Sequence, residues 1–465
     1  MSENFVQLIS FIYKNATAQI KSNAGLTKKF NINGGVLQGE SLSLTLFNIY
    51  LNDLIEKMDK LSGTGITLHK RTIHALLFAD DIVLLSTSPV GLQKKLNAPS
   101  EYAMKNDLKV NTSKTQVMVF RKGGRLRKAD SFTFNNQRLE IVSEYKYLEV
   151  VFQSSGKFNA VAKEMRSKGN SAAGQVLNII NKFNKITLDS AKKIFHALTA
   201  SCALYCVSIW GFDKEDELEK IQVGFYKRLY CLPVRTPSYL VRLEFGLDHI
   251  KSVMLDRRLR LLYRLLKSDN SLATDMLWHM NRFGRQDTQY NWLRQTKVEL
   301  GKISKQWILD DLNPDILAEQ YIDIMDKYKN HWHEIDPRRA KNSTYLPNNY
   351  YKNTEQSNKP ENYLLLPLTK NICCFISSLR LNPWYLFLNS HKLLFREEFS
   401  SCKFCPEHLS PMHVLECNLP DPGSSPIDSI EMKMCVSYLL PGDLDIAHYK
   451  SMYLRALNWF TNYFR

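Results

Sequence analysis

The chain has 465 residues, 44% of them hydrophobic and 23% charged, a balance that fits a folded protein and excludes a disordered or low-complexity one. Lysine and arginine number 62 against 46 acids, a formal net charge of +16, which favours a polyanionic partner such as nucleic acid or an anionic membrane surface.

The first stretch, "MSENFVQLISFIYKNATAQIK", has an acid in its first turn and polar residues throughout. It lacks the basic start and continuous apolar core of a secretory signal, so an intracellular protein, nuclear or cytoplasmic and not secreted, is expected. Nine cysteines, an odd number in a chain with no export signal, point to a reducing compartment in which thiols stay free or bind metal. Disulfides are not expected.

From residue 1 to 151, short β-rich runs alternate with helical patterns. "GGVLQGESLSLTLFNIYLNDL", Gly34 to Leu54, opens as a glycine-rich loop and passes into a helix whose Leu46, Phe47, Tyr50, Leu51 and Leu54 suit burial. Ser41 or Ser43 can cap it. Gly34, Gly35 and Gly39 let the backbone come close to a planar or phosphorylated ligand, and Gln38 offers both a donor and an acceptor; an ordinary loop before a core helix gives the same pattern. "TIHALLF", "DIVLLS", "TQVMVF", "SFTFN" and "YKYLEVVF" read as strands.

Where the first two of these runs meet stand Asp80 and Asp81. Adjacent acids at a hairpin turn are ordinarily a solvated turn, but the apolar flanks Leu76 to Phe78 and Ile82 to Leu85 are of the kind covered on both faces. Carboxylates held side by side by such strands repel each other, and a divalent cation between them and a phosphate offsets that repulsion. Phosphoryl transfer with two magnesium ions uses oxygen ligands fixed on a rigid turn.

Residues 152–341 read as almost wholly helical, with Leu218, Ile221, Phe225 and Leu229 at one-face spacing. Ile194 to Phe212 carries no Lys, Arg, Asp or Glu, close to the roughly 20 residues of a membrane span. His196, Thr199, Ser201 and Ser208 inside it predict a buried core helix instead. In "LDRRLRLLYRLLKSD", Leu255, Leu259, Leu262 and Leu266 share one helical face, and Arg257, Arg260, Arg264 and Lys267 another. That basic stripe fits phosphate tracking or, equally, a solvated face with extended arginines.

Residues 342–362, "NSTYLPNNYYKNTEQSNKPEN", offer turns and little to bury, and read as a linker or long loop. In the C-terminal region, residues 363–465, "CKFCPEHLSPMHVLEC" gives Cys402, Cys405, His413 and Cys417 in a C-x2-C-x7-H-x3-C spacing that can converge on zinc. His408 competes with His413 but shortens the loop. Cys202, Cys206, Cys231, Cys373, Cys374 and Cys435 lack ligand partners and are expected to be buried thiols. Asp421, Glu431 and Lys433 superficially suit a nuclease, but their proline- and serine-rich context reads as a loop; "YLRALNWFTNYF" reads as a short amphipathic helix.

Taken together, "GVLQGESLSLTLFNIYLNDL" and "FADD" at Phe78 to Asp81 resemble the palm of a reverse transcriptase of non-LTR (LINE-like) retrotransposons. "DLKVNTSKTQVMVF" is similar to the motif that follows them in that family and "YKYLEVVF" to its primer-grip hairpin, while "ALYCVSIWG", "IQVGFYKRLYCLP" and "TPSYLVRLEFGLDHI" look like its thumb and post-polymerase region.

The resemblance covers most of residues 1–270. It implies RNA-directed DNA synthesis from dNTPs on an RNA template with a DNA primer or target, away from any membrane, with two Mg2+ ions held partly by Asp80 and Asp81. Gln38, Gly39 and Phe78 would contact nucleotide or template, and Lys114 would assist pyrophosphate departure. Several such elements also carry a similar zinc knuckle after the polymerase.

The sequence departs from the pattern where the family has a further aspartate ahead of the glycine-rich motif: no aspartate precedes Asp53. The expectation is therefore an N-terminally truncated palm without fingers and without its first catalytic motif, inactive as an isolated chain. Glu40, Ser41 and Leu44 replace a small residue and two prolines, and Glu149 replaces a glycine in the primer grip.

The fold expected is α+β: a partial palm of antiparallel sheet and helices, a helical thumb and connection region, and a small zinc module. The alternative function is a non-catalytic nucleic-acid-binding remnant that keeps the basic helices and the knuckle.

Overall fold

The computed structural model describes residues 2–381 apart from 24, 33, 38, 62–63, 69–70, 107, 122, 125, 127–130, 270, 284–290 and 346–358. The chain divides into two compact units, residues 1–119 with 123–142, and residues 120–122 with the chain from 143 onward. No helix among the described residues is long and apolar enough to cross a membrane.

The first unit opens with α1 (Glu3–Lys14) and two minimal strand pairs, β1 (Thr17–Ala18) with β4 (Phe30–Asn31) and β2 (Lys21–Ser22) with β3 (Gly25–Leu26). Helix α2 (Ser41–Asp59) follows, then β5 (Ile66–Leu68) paired with β6 (Arg71–Ile73), and the hairpin of β7 (Ala75–Phe78) and β8 (Asp81–Leu84). Helix α3 (Pro89–Lys105) starts on Ser88, whose hydroxyl accepts from the Gly91 amide at 3.1 Å, a side-chain N-cap.

The unit ends with β9 (Gln116–Met118), β10 (Thr133–Phe134), β11 (Gln137–Arg138) and β12 (Glu140–Val142). β10 pairs with β11 antiparallel and β9 with β12 parallel. Instead of one continuous antiparallel sheet, the described strands of the chain form seven separate pairs. Helices pack on the β7–β8 pair: Leu51, Leu54 and Met58 of α2 and Tyr102 of α3 cluster with Ala75, Leu77, Ile82 and Leu84 of the hairpin.

The second unit starts with the hairpin β13 (Glu144–Tyr147) and β14 (Val150–Gln153), which sequence had grouped with the first region. It belongs with the helices because Val150, Val151 and Phe152 pack into their core. Leu148 and Glu149 form its turn with φ of 47° and 63°, the left-handed pattern in which glycine is unstrained. Glu149 accepts from Lys146 and Lys168, each at 2.8 Å, and these hydrogen bonds hold its carboxyl at a pKa of about 2. The extra negative charge is thereby compensated on the spot.

Helices α4 (Asn159–Ile180), α5 (Leu188–Ile194), α6 (Ser201–Ala203), α7 (Val207–Trp210), α8 (Glu215–Leu229), α9 (Ser238–Phe245), α10 (Ile250–Lys267), α11 (Ser271–Phe283), α12 (Trp292–Gly301), α13 (Pro314–Lys341) and α14 (Lys370–Leu381) complete the unit. Charge follows the macrodipole in α8, with Glu215, Asp216 and Glu217 in its first turn and Lys227 and Arg228 in its last.

The uncharged run from Ile194 to Phe212 is not one core helix. It passes from α5 through a π turn (Phe195–Ala200) to α6, breaks at Cys206 with φ 51°, and resumes as α7. Carbonyls on either side of the break take side-chain donors: Arg257 on Leu204 at 2.7 Å, Arg258 and Trp292 on Ser208 at 2.9 and 2.6 Å, and Trp210 on Tyr205 at 2.8 Å.

Residues 359–381 pack into the same core instead of starting a separate region after a linker. Tyr363, Leu364, Leu368, Ile372 and Ile376 are buried in it. Tyr363 donates to Glu244 at 2.7 Å, and Arg380 spans Glu244 at 2.8 Å and Glu361 at 2.9 Å. Gly246 ends α9 at φ 53°, and a Cβ there would meet the Pro360 nitrogen at 2.5 Å. Cys373 and Cys374 are buried as expected, whereas Cys202 and Cys231 are exposed, the latter just past the end of α8 at φ 56°.

Candidate functional site

Asp80 and Asp81 sit at the tip of the β7–β8 hairpin, both exposed. The strands pair Phe78 with Asp81 and Leu77 with Ile82, so Ala79 and Asp80 form a two-residue turn. Ala79 has φ 52°, and Asp80 is not in the left-handed region. These are the φ signs of a type II′ turn, whose first central position is ordinarily glycine. Placing alanine there costs about 1–2 kcal/mol, strain of the kind that persists where surrounding structure over-determines a tip.

Three supports fix this hairpin. Leu77 and Ile82 pack on the α2–α3 cluster. The Leu85 amide donates to the His74 carbonyl at 3.0 Å, closing the base. Lys95 of α3, fully buried, puts its ammonium between the carbonyls of His74, at 3.1 Å, and Leu85. Burial lowers the Lys95 pKa, and the two carbonyls take the place of lost water. Sequence reading passed over Lys95; its spacing from Gly91 and Pro99 places it on the buried side of α3.

The outer side of β7 is open. Leu76 is 38% and Phe78 60% exposed, so the hairpin is covered on one face, not on both as its apolar flanks had suggested. A two-stranded pair has nothing to lay over its second face within the unit, and that leaves an aromatic ring beside two carboxylates.

The loop before α2 is pinned from both sides. The Tyr13 hydroxyl donates to Glu40 at 2.9 Å, and the Ser43 hydroxyl donates to the Leu37 carbonyl at 2.5 Å. Neither Ser41 nor Ser43 caps the helix: Glu40 occupies the N-cap position without a side-chain cap bond, and Ser43 lies inside the first turn, turned back to the loop. Gly39 is exposed with φ 88°, a conformation that suits glycine. Gln38 lies outside the described residues.

Lys114 is exposed on the turn before β9, where the Asn111 carbonyl accepts its amide at 3.2 Å. No hydrogen bond or ion pair among the described residues joins it to Asp80 or Asp81. A two-metal centre needs a set of converging oxygen ligands, and no group of three or more His, Cys, Asp or Glu side chains among the described residues could hold a metal ion. The two tip carboxylates alone do not complete such a site.

In the helical unit the expected basic stripe comes apart. Arg257 is committed to the Leu204 carbonyl, Arg260 pairs with Asp256 at 2.9 Å, and Lys267 pairs with Asp315 at 3.0 Å. Arg264 is exposed, with no hydrogen bond or ion pair among the described residues. Arg258, which the sequence reading left out, is fully buried with its guanidinium 3.9 Å from the Phe212 ring centre and 5.0 Å from that of Trp292. Burial pulls its pKa down to about 9. Its spacing from Leu255 and Leu262 was the available signal, because it shares their face.

Cys402, Cys405, His413 and Cys417 lie outside the described residues, as do Cys435, the stretch holding Asp421, Glu431 and Lys433, and the final aromatic segment.

Residues 2–152 match the family model described as "Reverse transcriptase (RNA-dependent DNA polymerase)". The chain is similar to "RNA-directed DNA polymerase from mobile element jockey" of Drosophila funebris, at 25% identity over 229 residues, 48% of this chain and 24% of that protein. It is similar to "Retrovirus-related Pol polyprotein from type-1 retrotransposable element R2" of Nasonia vitripennis, at 28% over 156 residues, 32% of this chain and 15% of that protein.

A third relative is "Retrovirus-related Pol polyprotein from type-2 retrotransposable element R2DM" of Drosophila melanogaster, 25% identical over 248 residues, 51% of this chain and 22% of that protein. The chain thus spans 24% or less of the length of these three relatives. The first unit and the hairpin that follows it are reverse-transcriptase-like.

Proposed function

We propose that this chain carries part of an RNA-directed DNA polymerase of a non-LTR retrotransposon, able to bind an RNA template and DNA primer but not to polymerise by itself. The observation that carries the reading is the exposed Asp80–Asp81 tip, held by a strained turn and clamped at its base by Lys95, inside the segment that matches the reverse-transcriptase family. In that reading Asp80 and Asp81 supply two of the oxygen ligands for Mg2+, Phe78 and the loop at Gln38 and Gly39 meet template or nucleotide, and Lys114 neutralises departing phosphate. The described residues offer no third acid to the tip. In this reading the chain on its own binds template and primer without joining nucleotides.

Primer extension on an RNA template with dNTPs and Mg2+, run beside filter binding of the same RNA–DNA hybrid, tests this. Binding is expected with incorporation at background, equal in wild type and Asp80→Asn. Magnesium-dependent incorporation that Asp80→Asn abolishes would show that the chain completes its own metal site. Absence of hybrid binding even at low salt would remove the nucleic-acid reading altogether.

The spacing of Cys402, Cys405, His413 and Cys417 supports a zinc knuckle that stabilises the C-terminal region. Purified protein is expected to hold about one zinc per chain, and Co2+ in its place should give the absorption of a tetrahedral thiolate site. Full zinc occupancy in the Cys402→Ser, Cys405→Ser double variant would count against it.

A further inference from the structure

The helical unit contains a cavity of about 570 Å³ between α10 and α13. The buried Leu259 and Leu317 form its apolar floor, and Ala318, Arg260, Arg264, Tyr263 and Tyr321 complete its lining. The helices run antiparallel here: Arg260 lies over the Tyr321 ring at 5.3 Å, and Lys267, further along α10, reaches Asp315 in the first turn of α13. Asp256 sets the geometry, accepting from Arg260 Nε at 2.9 and 3.0 Å and from the Tyr321 hydroxyl.

What remains unengaged defines the ligand. Among the described residues, no carboxylate lines the cavity. Tyr263 is 36% exposed, and the exposed Arg264 guanidinium has no partner among the described residues. The stacked pair of Arg260 and Tyr321 offers a second planar surface held in place. Aromatic faces beside a free guanidinium, over an apolar floor, suit a planar group that carries an anion, and a volume of this size is within the range for small ligands. A base paired in a duplex shows only its edges to protein, whereas an unpaired base presents the face that stacking needs.

We infer that this cavity is a subsite for single-stranded nucleic acid, in which one unpaired base stacks on Tyr263 and an adjoining phosphate meets Arg264. The inference rests on the nucleic-acid-binding reading above and adds to it a strand class and a place. It also gives Tyr263 and Tyr321 roles that the charge pattern alone did not suggest.

The test uses the full chain and fluorescein-labelled oligo(U) and oligo(dT) of about 12 nucleotides, with a blunt duplex of similar charge as control. Tyr263→Ala is expected to weaken single-strand binding about tenfold, with Tyr263→Phe restoring it. Arg264→Ala is expected to weaken it and to lower the slope of log K against log salt by about 0.7. Duplex binding should not change in either variant. Both side chains are exposed, so the fold is not at stake, and circular dichroism verifies that.

Equal losses on the two oligomers identify a general single-strand site, and a loss confined to oligo(U) identifies an RNA site. Wild-type affinity for both oligomers in both variants would overturn the subsite while leaving hybrid binding intact. Failure of the wild type to bind oligomers or hybrid would fell the broader reading along with it. Self-association that Tyr263→Ala abolishes, with oligomer affinity unchanged, would assign the cavity to a second copy of the chain and also overturn the proposal.

Discussion

Replacing Arg242 with alanine is expected to destabilise the helical unit by about 3–5 kcal/mol. Arg242 is 3% exposed and joins three helices: from α9 its Nε donates to Asp336 of α13 at 2.6 Å, its Nη2 to the other Asp336 oxygen at 2.6 Å, and its Nη1 to Glu219 of α8 at 2.5 Å. Glu219 also accepts the first amide of α10, Ile250, at 3.0 Å. Burial works against the Arg242 charge, but the hydrogen bonds and charges of the two carboxylates overcome it and raise the pKa, while burial raises that of Glu219 against the pull of Arg242 and the Ile250 amide. Alanine leaves both acids buried without a counter-charge.

Urea unfolding followed by tryptophan fluorescence measures the loss. Combining Arg242→Met with Glu219→Leu and Asp336→Leu should recover part of it, since all three charges then go together. A single Arg242→Ala variant as stable as wild type would mean that the triad carries no such weight.

Acid should weaken the same unit through His249. Its Nδ1 accepts the Lys251 amide at 3.2 Å, at the N-cap of α10, and its ring stacks on Trp332 at 4.2 Å. Burial first, then the charges of Arg242, Lys251, Arg339 and Lys302, depress its pKa from 6.5 to about 2. The unfolded chain binds the proton more readily than the folded one between those values. The corresponding stability is therefore complete above pH 6.5 and is lost as pH falls toward 2, reaching about 3 kcal/mol at pH 4.

His249→Asn keeps an oxygen for the cap and removes the titration. Its stability should fall less steeply with acid than that of wild type. Asp248, held at about 2 by its bonds to His333 and Lys329 in spite of burial, also contributes acid sensitivity in both proteins, so the difference between the curves isolates His249. Parallel curves would rule His249 out as the source.

How much of this was legible in the sequence follows the range of each interaction. The β7–β8 hairpin could be read because its register and its turn are local, with apolar runs on either side of Asp80 and Asp81. The helical periodicity of α10 was equally local, yet a pattern that sorts residues into faces does not say which arginine the fold will bury. Arg258 went inside with Leu255 and Leu259, and Arg257 turned to the Leu204 carbonyl beside the break at Cys206.

The stretch from Ile194 to Phe212 had the composition of a core helix, but composition carries no sign of a π turn or a left-handed cysteine. The return of residues 359–381 depends on Glu244 meeting Tyr363 and Arg380 far along the chain, and separations of that length leave no mark in local pattern. For the same reason the cavity between α10 and α13 joins Tyr263 to Tyr321, which no spacing rule connects.

One hydrogen atom determines how the chain rejoins its helical bundle. At Gly246 the backbone of Lys359 and Pro360 lies so near that the smallest side chain would overlap it, the nearest approach being 2.5 Å. The return of residues 359–381 to the core is thus written as a bare position just past the last residue of α9, set by a side chain that is not there.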